Sequence, residues 1–320
     1  RTPLVFSQKL SEHRGAPVHL KMEHQQTTGA FKLRGATNAV LKLPSSDRAR
    51  GVVTASTGNH GRALAHAAGE AGARCVVCLS KLVPGNKVEA IEVLGAEVRI
   101  VGTSQDDAQL EVDRLVAEEN MIALPPFDHP DIIAGQGTLA LEILEDLPGC
   151  ETILVPLSGG GLIAGIALAA KAAKPSIRII GVSLERGAAM QASLAAGRPV
   201  AVEELPSLAD SLGGGIGLTN RHTFALVRDL VDEVILVSEA EIASAIRHAY
   251  QAEDQTIEGA AAVGIAALLR APRPAEGVTV ALLSGANIDQ ALHARILAGE
   301  TPDLLAEQQQ GHAVGEARHA

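Results

Sequence analysis

In the stretch TGAFKLRGATNAV, Lys32 stands beside Phe31 at the start of what reads as a helix. Ala30, Leu33, Ala36, Ala39 and Val40 recur at helical spacing between Thr28 and Val40, with Thr28 and Gly29 suited to a cap and a lead-in turn. A cation in the first turn opposes the positive end of the helix macrodipole. A lone lysine is ordinarily a solvated surface residue, so the position gains meaning only from its surroundings. Desolvated at a positive dipole end, a lysine has its amine form favoured, and the amine is the nucleophile that condenses with a carbonyl.

Three junctions supply such surroundings. In GVVTASTGNHGRALAHAAG a strand ends at Ala55, and Ser56, Thr57, Gly58, Asn59 and His60 open a helix. Backbone N–H groups at a helix start, with hydroxyls nearby, cradle a carboxylate; alone, the pattern is also that of a capped helix. In TILVPLSGGGLIAGIALAA a buried strand runs through Ser158, Gly159, Gly160 and Gly161 into an apolar helix beginning near Leu162. Successive glycines let amides approach a phosphate without obstruction. In VTVALLSGANIDQ, Ser284 stands at a third strand end. A phosphate cup, a carboxylate cradle and a lysine at a helix start are what hold pyridoxal phosphate and an amino acid. The rival is a nicotinamide oxidoreductase. Gly159, Gly161 and Ala164 also spell G-x-G-x-x-A, and Glu185, 24 residues past Gly161, could bind a ribose. Such an enzyme has no use for Lys32.

The elements that must position these residues alternate. Strands are predicted at 18–22, 51–55, 74–79, 97–101, 152–157, 177–183, 233–237 and 278–283, with helices at 61–71, 86–94, 105–119, 132–147 and 162–173. This is the α/β pattern of parallel sheets flanked by helices, whose ligands bind beyond the carboxyl ends of strands. Pro44–Ser45–Ser46 and the Pro-rich stretch 125–130 are the linker candidates. They set aside residues 50–124 as a small inserted α/β domain within a large domain of 1–49 and 125–320. After Gly299 the chain turns polar and is expected to fray.

At 320 residues the chain suits two domains, and with four Phe, one Tyr and no Trp its core must be aliphatic. A net charge of −10 without a basic cluster argues against nucleic acid. The longest apolar run, Leu162 to Ala170, is too short for a membrane span, and RTPLVFSQKL carries no signal pattern. A cytoplasmic location is the default, with a short leading segment expected ahead of Arg1. Cys75 and Cys78 spell C-V-V-C on a strand, where they point to opposite faces and read as core.

The segment TPLVFSQKLSEHRGAPVHLKMEHQQTTGAFKLRGATNAV, with STGNHG, SGGGLIAG, IEGAAAVG and LLSGAN, resembles the serine/threonine dehydratases, fold-type II pyridoxal-phosphate enzymes related to the tryptophan synthase beta chain. HQQTTGAFKLRGA and LADSLGGGIG are most similar to the dehydratases of hydroxyectoine utilisation. The resemblance implies that Lys32 carries the cofactor as an imine and moves the Cα proton, with Phe31 walling the ring. Asn59 is then the partner of the phenolic oxygen, and Ser56, Thr57, Gly58, Asn59 and His60 shape the substrate-carboxylate loop. Ser158, Gly159, Gly160, Gly161 and Leu162 take the phosphate, Ser284 meets the pyridine nitrogen, and Glu258 lies near the ring edge. The implied reaction is loss of water from a β-hydroxy-α-amino acid by a homodimeric lyase, giving a 2-oxo acid and ammonia.

Departures from the family pattern shape further expectations. Thr57 occupies the place of a second acid/base serine in related racemases, which keeps racemisation as the alternative activity. Gly181–Val182–Ser183–Leu184 replaces the racemases' GVEP, so no required divalent ion is expected, with Glu185 the one possible substitute. Ser211 replaces a common glycine and could reshape the side-chain pocket. Nothing after Gly299 matches the regulatory domain of biosynthetic threonine deaminases.

Overall fold

Short runs rich in branched aliphatic residues, buried at the sheet centres and partly exposed at the edges, make the strands of two sheets. The computed structural model describes residues 1–309 except Thr57, Leu82, Pro84 and 271–276. The chain opens with β1 (Leu4–Phe6), α1 (Gln8–Arg14) and β2 (Val18–Lys21), then α2 (Lys32–Lys42) and α3 (Ser45–Arg50). Next come β3 (Val52–Ala55), α4 (Asn59–Glu70), β4 (Cys75–Leu79), α5 (Gly85–Glu92), β5 (Glu97–Ile100), α6 (Gln105–Glu119) and β6 (Ile122–Ala123). The remainder is α7 (Pro130–Asp146), β7 (Cys150–Pro156), α8 (Gly161–Ala173), β8 (Arg178–Leu184), α9 (Ala189–Ala196), α10 (Thr223–Leu230), β9 (Glu233–Val237), α11 (Glu239–Glu253), α12 (Gly259–Leu269), β10 (Val278–Leu282) and α13 (Gln290–Leu297).

Among the described residues, one sheet runs β1-β2-β10-β7-β8-β9 and the other β5-β4-β3-β6. Every neighbouring pair is parallel except β1 with β2. All eight predicted strands form. The two unpredicted ones, β1 and β6, are three and two residues long, too short for an alternating pattern. Cys75 and Cys78 are buried on β4 as unbridged thiols. Beyond Gly299 the described chain does not fray at once. Leu304 packs against the core, and Asp303 and Glu307 pair with Arg186 and Arg295. Among the described residues no helix is long and apolar enough to cross a membrane.

The helices that begin at the site are packed backbone to backbone. A Cβ on Gly35 of α2 would lie 2.8 Å from the Ile132 carbonyl oxygen, and one on Gly135 of α7 would lie 2.6 Å from Gly35 Cα. On the far side of α7, a Cβ on Gly165 of α8 would fall 2.2 Å from the Ile133 carbonyl oxygen. Only glycine permits these approaches. The start of α2 and the start of α8 are therefore fixed relative to one another. Ala36, Ala39 and Val40 of α2 pack into the core beside the four-stranded sheet.

Candidate active site

The segment leading into α2 is stitched to the turn after β10. Gly29 takes φ +75° and its carbonyl accepts from Ala286 N; Ala30 bridges Gly285, and Phe31 N donates to the Ser284 carbonyl at 3.0 Å. This stitching consumes the residues expected to open the helix. Thr28 is no cap: α2 begins at Lys32, after Phe31, without a side-chain cap. Lys32 is thus the first helical residue, its Nζ donating to the Pro126 carbonyl oxygen at 2.6 Å and lying 5.3 Å from the Phe31 ring centroid. The side chain keeps some surface open to the cleft but sits deep among protein atoms. Burial, against the pull of Glu258, lowers its pKa to about 8. Ser284 is buried beside Phe31.

Asn59 opens α4 with both ends of its amide engaged. Its Nδ2 donates to Glu258 Oε1 at 2.7 Å, and its Oδ1 accepts from Asn287 Nδ2 at 2.5 Å. Asn287 N donates to Glu258 Oε2 at 3.1 Å, and Arg62, one turn along α4, donates to Asn287 Oδ1 at 2.8 Å. Glu258 is 4% exposed. Burial, with Asp210 adding to it, pushes its carboxyl up to about 7 against the bonds from Asn59 and Asn287. A side chain at Gly285 would meet Glu258 Oε1 at 2.6 Å, so that turn must be bare. In the same loop Ser56 Oγ accepts from Gly61 N at 3.2 Å, and Gly58 precedes the helix. Thr57 lies outside the described residues. His60 is 2% exposed; its Nε2 faces the Leu124 carbonyl oxygen at 2.9 Å, and its Nδ1 has no protein partner. Burial and the Lys32 charge push its pKa down to about 3, so the ring is neutral, with Nε2–H the donor by geometry and Nδ1 a free acceptor.

The triple glycine forms a bare cup at the start of α8. Gly160 takes φ +90°, and no side chain caps the helix. A Cβ on Gly159 would lie 2.5 Å from the Phe127 ring, and one on Gly161 would lie 2.9 Å from Phe127 Cα. With Ser158 ahead and the buried Leu162 behind, the unobstructed amides and the helix dipole suit a phosphate dianion. Phe127 belongs to the crossover Leu124–Pro125–Pro126–Phe127, which also carries the carbonyls facing His60 and Lys32. Asp128 anchors its far end by accepting from the N–H groups of Arg221, His222 and Thr223 at 2.7, 2.9 and 3.0 Å.

The structure thus joins Lys32, Phe31, Asn59, Glu258 and Ser284 in one set of contacts, with the cup reached through Pro126 and Phe127. Sequence reasoning missed Asn287, Arg62 and this crossover. Asn287 ends the LLSGAN motif and Arg62 follows Asn59 at helical spacing, so both carried a signal; a backbone carbonyl carries none. Glu185 is an exposed residue after β8, and among the described residues no group of three or more His, Cys, Asp or Glu side chains gathers to hold a metal. A half-buried lysine with a lowered pKa, a capless glycine cup and a neutral serine are a fitting donor set for pyridoxal phosphate.

Comparison with known proteins accords with this donor set. The profile of the family described as "Pyridoxal-phosphate dependent enzyme" matches residues 1–285. A putative threonine dehydratase of Sinorhizobium fredii is 61% identical over 93% of this chain and 90% of its own. Among solved structures, processed threonine deaminase isoform 2 from Solanum lycopersicum is 33% identical with TM-score 0.87, over 93% of this chain and 88% of that one. Maize serine racemase is 32% identical with TM-score 0.86, over 100% of this chain and 94% of that one. With its matching sheets, its lysine at the head of α2 and its glycine cup at the head of α8, the chain belongs to the threonine/serine dehydratase family of fold-type II pyridoxal-phosphate-dependent enzymes.

Proposed function

We propose that this protein is an ammonia-lyase that removes water from a β-hydroxy-α-amino acid, with Lys32 as the residue that holds the cofactor and moves the Cα proton. Bound here, pyridoxal phosphate supplies an aldehyde for the lysine and a ring that accepts the electron pair left at Cα. The protein's part is positional. Ser158, Gly159, Gly160, Gly161 and Leu162 would hold the phosphate, and Phe31 the ring face. Asn59, clamped by Glu258 and Asn287, would turn its remaining N–H to the phenolic oxygen. Ser284, a neutral hydroxyl, would face the pyridine nitrogen without charging it, which limits the electron sink and favours prompt departure of the β-hydroxyl. The amides and hydroxyls of Ser56, Thr57, Gly58, Asn59 and His60 would take the substrate carboxylate. A lysine whose pKa is lowered to about 8 is freed well below the usual pH and is suited to take the Cα proton at Nζ.

The observation that carries the reading is the Lys32 amine, half-buried at the head of α2 and linked through Pro126 and Phe127 to the glycine cup. Borohydride treatment of the purified protein should fix the cofactor on Lys32, and Lys32→Ala should abolish both the label and 2-oxo acid release. A label on another lysine would sink the assignment.

Threonine, serine, hydroxyaspartate and a hydroxylated diaminobutyrate all fit this chemistry. Similarity of HQQTTGAFKLRGA and LADSLGGGIG to the hydroxyectoine-utilisation dehydratases supports the last. A panel of β-hydroxy amino acids scored by 2-oxo acid release distinguishes them. Racemisation is the second reading, favoured by the likeness to maize serine racemase; following the chirality of one serine enantiomer beside 2-oxo acid release separates the two. Residues 50–124, which contain all four strands of the second sheet, would form the small domain. A cytoplasmic homodimer completes the proposal, with light scattering the test of its size.

A further inference from the structure

Beneath the catalytic turn lies a cluster of buried charges that the reaction itself does not use. Arg34, two residues past Lys32, has all of its N–H directions taken. Nε and Nη2 donate to Glu23 at 2.8 Å each, Nη1 and Nη2 donate to Glu142 at 2.6 and 2.9 Å, and Nη1 also reaches Thr138 Oγ1 at 3.1 Å. Lys21 Nζ donates to Glu142 at 2.6 Å and to the Thr2 carbonyl at 2.7 Å, and the Thr2 hydroxyl donates to Glu23. The side chains of Lys21 and Glu23 are 0% exposed, that of Arg34 is 9% and that of Glu142 is 14%. Two positive and two negative groups leave no net charge. Burial resists ionisation of Glu142, but Arg34 and Lys21 prevail and hold its carboxyl at about 2.

Four desolvated charges add little stability over an apolar cluster of the same shape. What they add is geometry. Glu23 lies two residues past the end of β2, and Glu142 belongs to α7, so the guanidinium fork ties the first turn of α2 to two separate elements. Lys32 and Arg34 lie about 200° apart around the helix, so a clamp on one face sets the rotation of the other. With side chains at roughly 5–6 Å from the axis, a turn of about 10° moves the amine by about 1 Å.

We propose that Arg34, gripped by Glu23 and Glu142, is the positioning residue that sets the rotation of α2 and thereby aims the Lys32 amine. This rests on the assignment of Lys32 above. Arg34 spends all five of its N–H bonds on protein acceptors, and it needs the planar fork, since a lysine offers only three donors from a single nitrogen.

The test compares holoenzymes of the wild type, Arg34→Lys and Arg34→Met. The readouts are borohydride label on Lys32 by mass spectrometry, turnover per attached cofactor, KM and the urea midpoint. Arg34→Lys keeps the charge, yet its kcat per attached cofactor should fall about 10- to 100-fold, as a reacting group displaced by about 1 Å predicts. KM should stay within about threefold. Wild-type turnover per attached cofactor with only the urea midpoint lowered would reduce the cluster to a structural role and end the proposal. Should the Arg34 variants not fold, Thr138→Val removes one acceptor without stranding a charge. It should lower the same quantity roughly threefold, about one weakened hydrogen bond, and an unchanged value overturns the proposal. Label on another residue in the wild type removes the Lys32 assignment instead, and the clamp with it.

Discussion

Lys32 Nζ donates to the Pro126 carbonyl at 2.6 Å, and the next residue, Phe127, fills the space where a side chain on Gly159 or Gly161 would have to go. One short crossover therefore touches the amine and the anion cup together. Replacing the lysine leaves this crossover in place, so Lys32→Ala should still fold and bind the cofactor non-covalently. Its 2-oxo acid production should fall by at least about a thousandfold, the usual scale for loss of a covalent catalyst. Absorbance of the bound cofactor and steady-state turnover check both halves.

The lowered pKa of Lys32 has two consequences in the cofactor-free protein. Attachment of pyridoxal phosphate should quicken with pH and level off above about 8, well below the 10.5 of an ordinary lysine. Between those two values the unfolded chain binds more protons than the folded one, so the lysine's contribution makes stability rise with pH across that window. Stopped-flow attachment rates and urea denaturation at several pH values measure each.

Glu258 works in the opposite direction. Its carboxyl is raised from 4.5 to about 7, so the folded state holds the extra proton and this contribution to stability is lost as pH rises through that range. The size is about 3 kcal/mol. Glu258→Gln should flatten the dependence and, by removing a negative charge, move the Lys32 attachment midpoint to lower pH. The urea midpoint difference between wild type and variant at pH 5 and pH 8 tests the first effect, and attachment kinetics test the second.

Gly160→Ala should impair cofactor binding more than stability alone would suggest. At φ +90° an alanine carries about 1–3 kcal/mol of strain. Its Cβ would also press on Met190 at 2.8 Å. Titration of the cofactor-free variant with pyridoxal phosphate should show at least about tenfold weaker binding, the equivalent of 1.4 kcal/mol. Wild-type affinity would remove the cup from the phosphate site.

Gly165→Ala tests the helix packing. The new Cβ would fall 2.2 Å from the Ile133 carbonyl oxygen, forcing α7 and α8 apart. Overpacking of this kind costs about 1–3 kcal/mol. Chemical denaturation gives the loss, and turnover should fall with it because α8 carries the cup.

The parts of the molecule that were readable in the sequence are those made of contiguous residues. Eight strands announce themselves as aliphatic-rich runs, and STGNHG and SGGGLIAG mark the starts of α4 and α8 because a strand end and a helix start are local events. The misread start of α2 shows the limit. Thr28 and Gly29 have capping chemistry, but Gly285 and Ala286, some 256 residues away, claim the backbone there and delay the helix to Lys32. The Arg34 clamp was hidden for the same reason, since Glu142 is 108 residues distant and nothing local marks it as a partner. Asn287 lay inside a motif already singled out, but its role depends on a register with Asn59 that only the assembled sheets create.

Because the Leu124–Phe127 crossover bears on Lys32, His60 and the glycine cup at once, small breathing of the cleft would change the room left for an amino acid before it changed the reach from lysine to anchored aldehyde. Selectivity in such a framework can drift while the underlying bond-breaking stays intact.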